Sequence, residues 1–211
     1  MLWAFIAIMF SGWLYVDASY RGPLWQLWLF QSITFLLLIT LTWKALEKHT
    51  TPIGYFVLLG LLATFFGSIL LILSRKQLIY AMHSFFFSYV FYIIGFFQYM
   101  LLENFWLLTL MFFSSGILLM MYSWMGLDKL LKQPIFIGII VSILMVWIAG
   151  EQYYQHHTNY HFSILVGSVL LFIKTAILAI SYYWYPCNVI RAMFSAFSFL
   201  GHFLIVRSLY L

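Results

Sequence analysis

The sequence predicts an all-α fold, a polytopic membrane helix bundle of about eight transmembrane helices without a soluble domain. Of its 211 residues, 65% are hydrophobic and only 7% are charged, whereas an ordinary soluble domain carries about a quarter charged residues. The apolar residues fall into long stretches near the length of about 20 residues that a helix needs to cross a bilayer. The connections between stretches are too short to fold by themselves, so residues 1–211 are interpreted as a single transmembrane domain.

Each apolar stretch is expected to be a helix, because a helix satisfies its own backbone hydrogen bonds within the hydrocarbon core. The first stretch is short, and a secretory signal is the alternative for it. Such a signal needs a basic start, which the sequence Met1-Leu2-Trp3-Ala4-Phe5 does not have. The eight predicted spans are Leu2–Val16, Leu24–Trp43, Ile53–Leu73, Leu78–Leu102, Phe105–Met125, Pro134–Gly150, Phe162–Trp184 and Val189–Leu211.

Composition also excludes several classes of protein. Cys187 is the only cysteine, which excludes a disulfide scaffold. The net charge of +5 is spread too sparsely to bind nucleic acid, so the expected partners are membrane lipids. His157 and His161 have the i,i+4 spacing that zinc ligands use, but neither a cysteine nor a second histidine pair accompanies them. We therefore predict no metal and no cofactor.

Basic residues near the ends of the spans predict the orientation of the chain. If the amino terminus lies outside, the outer connections hold only Lys44, Lys48 and Arg207, and the positive-inside rule then favours both termini outside. The basic residues on the inner side would be Arg21, Arg75, Lys76, Lys129, Lys132 and Arg191.

Lys174 is the clearest polar residue at depth, about twelve residues into the seventh predicted span. A charge in that position costs roughly 2.5 to 3.5 kcal/mol on insertion scales, so it needs a reason. One interpretation is a cation at the base of a polar cavity that binds a phosphate or a carboxylate. The other is a structural contact with a charge or a carbonyl group of a neighbouring helix.

Other polar residues also fall inside predicted spans. His202 lies in the middle of the last span, where an imidazole can either transfer a proton or simply bond to a neighbouring helix. One interpretation is that, together with Lys174, they line one cavity open to the inner leaflet; the other is that Ser and Gln simply form hydrogen bonds between helices. These residues are Gln31, Ser68, His83, Tyr89 and His202. All five acidic residues stand at or beyond the ends of spans, which excludes a buried two-carboxylate hydrolase site.

Four segments of the chain resemble the YhhN family of bacterial membrane proteins, and the last is the most specific: Met1–Trp3, Trp13–Pro23, Met145–Glu151 and Gly201–Leu211. The family includes lysoplasmalogenases, which cleave the vinyl ether bond of lysoplasmalogens into a fatty aldehyde and a glycerophospho-alcohol. The resemblance implies an eight-helix bundle in the bacterial inner membrane, a lysophospholipid-like ligand, and hydrolysis of the alkenyl ether bond.

The family's characteristic acids, its lysine and its histidine are replaced here. The corresponding positions read Gln31-Ser32, Gly67-Ser68, Ser88-Tyr89 and Lys174-Thr175. In an active enzyme His202 or His83 would be the general acid, with Tyr89 as a further donor. The expected substrate-binding residues are Lys174, Ser68, Gln31, Thr175 and Ser88. The alternative is a catalytically silent lipid-binding or transport protein that holds an anionic headgroup at Lys174.

Overall fold

The described part of the chain is helical. A computed structural model describes residues 2–48, 51–73, 77–97, 109, 112–117, 120, 129–181 and 188–211, and contains no strand within these ranges. Residues 112–117 are also helical. The long helices are α1 (Leu2–Arg21), α2 (Leu24–Lys48), α3 (Pro52–Leu73), α4 (Leu78–Phe97), α5 (Lys129–His156), α6 (Asn159–Ser181) and α7 (Asn188–Ser208).

Glycine and proline mark the helix boundaries. Gly22 closes α1 by donating its backbone N–H to the carbonyl of Ala18 at 2.9 Å, and Pro23 separates this helix from α2. Pro52 is the first residue of α3, where its missing N–H costs nothing. Among the described residues, six helices, α2 to α7, are long and apolar enough to cross a membrane. A multi-pass helical membrane protein is therefore confirmed.

The helices form a closed ring. Each of α1 to α6 packs against the helix with the next number, and α7 packs against α1. In addition, α7 contacts α2 and α3 across the bundle. The ring of Phe5 near the start of α1 lies 5.8 Å from the ring of Tyr210, just beyond α7, so these two parts share one end of the bundle. We call it the Lys44 end, and the opposite one the Arg21 end.

Helices α4 and α5 run in the same direction. The side-chain amide of Gln152, near the end of α5, donates to the carbonyl of Phe96 at the end of α4. Met82 and Ile135, each near the beginning of its helix, flank one small void at the other end. The predicted span Phe105–Met125 lies largely outside the described residues, and the count of eight stays a prediction.

Candidate functional site

A stripe of polar side chains runs along α7 on the face that meets the other helices. Arg191, Ser195, Ser198 and His202 are spaced by four, three and four residues, which places them on one face of a helix. Ser195, Ser198 and His202 are all buried, and Arg191 is exposed at the Arg21 end. The stripe therefore leads from the surface at that end into the middle of the bundle.

The inner part of the stripe is a hydrogen-bond network around His202, which is completely buried. Its Nδ1 lies 2.5 Å from the carbonyl oxygen of Ser198, and since a carbonyl only accepts, Nδ1 carries a proton. In a neutral ring Nε2 is then the acceptor for the hydroxyl of Thr64, at 3.0 Å. Thr64 and Ser88 lie 2.7 Å apart through their hydroxyl oxygens, so the network ties α7 to α3 and α4.

A cavity of about 220 Å³ lies beside the outer part of the stripe, between α1, α2, α3 and α7. Leu24 and Arg191, both exposed, mark its rim at the Arg21 end. Its volume holds several water molecules or a small polar group. The other lining residues that matter here are Tyr15, Gln31, Ser68, Phe194 and Ser195. We call this the Arg191 cavity.

Gln31 is 2% exposed, and its side-chain nitrogen has no hydrogen-bond partner among the described residues. A buried donor without a partner costs about 1 to 3 kcal/mol, so it indicates an acceptor that the described residues do not supply. Ser68, across the cavity, uses its own proton on the carbonyl of Thr64 at 2.7 Å. The cavity is therefore bordered by the Arg191 guanidinium and by Gln31, and its described lining contains no carboxylate.

Lys174 is 1% exposed in the middle of α6, and its Nζ has no hydrogen-bond partner within the described part of the chain. The ammonium lies instead over two aromatic rings, 3.9 Å from the centre of Phe85 and 5.3 Å from that of Phe194. Such cation–π contacts contribute about 2 kcal/mol when the cation is desolvated. Aromatic faces thus take the place of water around this charge.

The space next to Lys174 is small. A void of about 20 Å³ is bordered by Lys174, Tyr89 and Thr175 among other residues, which is room for about one water. The hydroxyls of Tyr89 and Thr175 are 2.8 Å apart and join α4 to α6. A lipid headgroup does not fit into this void unless the side chains around it move.

The predicted site residues fall into three groups, which corrects the expectation of one common cavity. Gln31 and Ser68 border the Arg191 cavity. Lys174, Tyr89 and Thr175 border the small void. Ser88 and His202 belong to the hydrogen-bond network. Phe194 lies between the first two groups, because it borders the cavity and faces Lys174.

The expectation that His83 belongs to an interior site does not match its position. His83 is exposed, and its Nδ1 lies 2.7 Å from the carbonyl oxygen of Ile79 in its own helix. The helical register explains this, since the inward face of α4 carries Phe85, Ser88 and Tyr89 while His83 stands with the exposed residue Phe87.

Five residues of the site were not singled out from the sequence. Arg191 was considered only as a topological charge, and Thr64, Ser195, Phe194 and Ser198 were not considered. The spacing of Arg191, Ser195, Ser198 and His202 along α7 was the available signal. A three- or four-residue repeat of polar side chains within an apolar span predicts an inward face.

The histidines at the Lys44 end are close together but do not form a recognisable metal site. The rings of His156 and His161 stack with their centres 4.6 Å apart. Nδ1 of His161 lies 2.6 Å from the hydroxyl of Thr158. Across the described residues, no three side chains of His, Cys, Asp or Glu are grouped so as to hold a metal ion.

The fold and its apolar helices define this chain as a multi-pass integral membrane protein. The YhhN family model matches residues 26–209, and the chain belongs to this family. Relatives named "Uncharacterized membrane protein YhhN" occur in Escherichia coli O6:H1, Escherichia coli O157:H7 and Shigella flexneri, and the chain is 44% identical to each of them. Each alignment covers the full length of both proteins. No solved structure shows a significant match.

Proposed function

We propose that this protein binds a lysophospholipid-like molecule, with the anionic headgroup in the Arg191 cavity. The observation that carries the proposal is the buried amide nitrogen of Gln31, a residue that lines the same cavity as Arg191 and whose nitrogen has no acceptor among the described residues. A phosphate oxygen is such an acceptor, and a guanidinium is well suited to bind it. One acyl chain can then lie along the apolar surface of the bundle.

The location at the end of the bundle supports a lipid as the ligand. The exposed residues Leu24 and Arg191 lie at the ends of their helices, where lipid headgroups meet the hydrocarbon layer. An anionic headgroup can therefore enter the cavity while its chain stays in the bilayer. The predicted orientation puts this end on the inner side of the membrane.

The test is a lipid titration followed by native mass spectrometry of the protein in a maltoside detergent, with lysophosphatidylglycerol as the probe. Loss of a charged hydrogen bond, worth about 1.5 to 3 kcal/mol, predicts roughly 10- to 100-fold weaker binding for Arg191→Gln. Arg207→Gln is the matched control, since Arg207 is also exposed on α7 but lies at the Lys44 end. Equal affinities of the two variants would overturn the proposal.

Hydrolysis of the alkenyl ether bond of lysoplasmalogen is the second candidate function, favoured by the family resemblance and by the buried His202 network. In this reaction a general acid protonates the alkene carbon, water adds to the resulting oxocarbenium ion, and the hemiacetal breaks down to an aldehyde and an alcohol. His202 would be the acid in its doubly protonated form, with the proton given from Nε2, because Nδ1 is held by the carbonyl of Ser198. The ammonium of Lys174 opposes this chemistry, because a cation near a developing positive charge raises the barrier. Binding without cleavage is therefore our first proposal.

Release of fatty aldehyde from lysoplasmalogen by the purified protein tests the second candidate. If His202 is the acid, His202→Gln abolishes release, whereas His83→Gln retains it because His83 is exposed away from the network. Absence of aldehyde with the unaltered protein, or equal release by the two variants, would exclude His202 as the catalytic acid.

A further inference from the structure

Phe194 is the side chain that separates the two positively charged groups of this region. It lies on α7 three residues after Arg191 and borders the Arg191 cavity. On its other side the ring centre is 5.3 Å from Nζ of Lys174. The Phe194 ring also lies 6.3 Å from the ring of Phe85, which is the closer aromatic partner of Lys174.

We propose that Lys174 is a second cation of the Arg191 cavity, held behind Phe194, and that the two cations together select a headgroup with a terminal phosphate monoester. This inference rests on the proposed binding function and names the ligand class for the same cavity. It assigns Phe194 the role of a gate between the cavity and Lys174.

Lys174 is available for such a role because no described residue holds its ammonium by a hydrogen bond. Its Nζ has no hydrogen bond within the described residues, and contacts with aromatic faces have no directional bonds to break. Lysine has a long stem with several rotatable bonds, so its ammonium can shift by some ångströms without movement of the backbone. A change of the Phe194 rotamer then joins the ammonium to the cavity.

The charge of the headgroup determines how strongly it is attracted to two cations. A phosphate monoester carries roughly −1.5 to −2 charges near neutral pH, which matches one guanidinium and one ammonium. A phosphocholine headgroup has a phosphate diester with a single negative charge and a fixed positive charge of its own. The second cation therefore adds attraction for the monoester and repulsion for the choline group.

The test compares dodecyl phosphate with dodecylphosphocholine, which have the same chain, in titrations of the full-length protein in a maltoside detergent. We expect Phe194→Ala to raise the affinity for dodecyl phosphate by about tenfold, because it removes the barrier to Lys174. Adding Lys174→Met to Phe194→Ala should abolish that gain. The affinity for dodecylphosphocholine should not increase in Phe194→Ala or in the double variant. Phe194→Leu, which removes the ring but keeps apolar volume, is the second variant in case the alanine protein does not fold.

Phe85→Ala is the control for loss of an aromatic ring near Lys174, since Phe85 borders the small void and not the Arg191 cavity. It should not raise the affinity for dodecyl phosphate. If the Phe194 substitutions change the affinity for dodecyl phosphate equally in the protein with Lys174 and in the Lys174→Met protein, the inference is wrong although the binding proposal stands. If neither probe binds in a manner sensitive to Arg191→Gln, the binding proposal itself is wrong.

Discussion

The ammonium of Lys174 lies 3.9 Å above the centre of the Phe85 ring in the interior of the bundle. The ring belongs to α4 and the ammonium to α6, so the contact joins two helices. A cation–π contact contributes about 2 kcal/mol in a desolvated site, whereas removing an ion from water costs several kcal/mol. The contact therefore offsets only part of the cost of burying Lys174, which is a reason to expect a role other than stability.

Replacing Lys174 by methionine should leave the thermal stability of the protein unchanged or raise it. Methionine has a similar length and no charge, so it fills the same space without the cost of desolvation. The measurement is the melting temperature in detergent, with Lys44→Met at an exposed position as the control. A clear decrease confined to Lys174→Met would show that the ammonium stabilises the fold.

Replacing Thr64 by valine should destabilise the protein by about 1 to 3 kcal/mol, because His202 loses the hydroxyl that faces Nε2 at 3.0 Å. The shape of the side chain is nearly kept, so packing changes little. Thr40→Val is the matched control, since Thr40 is exposed and its hydroxyl donates to Leu37 of the same helix at 2.9 Å. Similar unfolding free energies of the two variants would contradict a structural role of the network.

Replacing Gly167 by alanine should separate α6 from α7 and lower the melting temperature. A Cβ atom at this position would lie 2.9 Å from the carbonyl oxygen of Gly201, a backbone atom that cannot move away cheaply. Gly138→Ala is the control, because the one described side chain that a Cβ there would meet is Thr175, at 3.9 Å. If both variants melt at the same temperature as the unaltered protein, the two helices do not depend on this close approach.

The predicted orientation, with both termini outside, implies which exposed positions can be labelled from outside the cell. In a Cys187→Ser background, Thr158→Cys at the Lys44 end should react with a membrane-impermeant maleimide. Gln133→Cys at the Arg21 end should react only after the membrane is opened. Both positions are exposed. The reverse pattern would place the termini inside and the Arg191 cavity on the outer side.

Several helix boundaries were predictable because they depend on local sequence. α2 begins at Leu24 as predicted, and Pro52 begins α3 one residue before the predicted span, whereas α1 continues to Arg21, five residues beyond its predicted end at Val16. By contrast, α5 begins at Lys129, five residues before its predicted start at Pro134, so this proline lies inside the helix and does not mark its beginning. The fifth predicted span cannot be judged in the same way, since most of it lies outside the described residues.

The site was only partly predictable. Lys174, Gln31 and Ser68 were recognised from polarity within apolar spans, and all three are buried. His83 has the same apolar surroundings in sequence but lies on the exposed face of α4. Polarity at depth therefore indicated candidates, and the rotation of each helix decided which of them face the interior.

Composition alone determined that this chain spans a membrane as helices, because so few charges cannot keep it in water and only helices satisfy their backbone in lipid. The tertiary structure decided which polar groups meet. It brought Arg191 from the start of the last helix to the same cavity as Gln31, and placed Phe194 between that cavity and Lys174. Such proximities depend on helix packing angles and rotations, which are set by contacts between residues far apart in the chain.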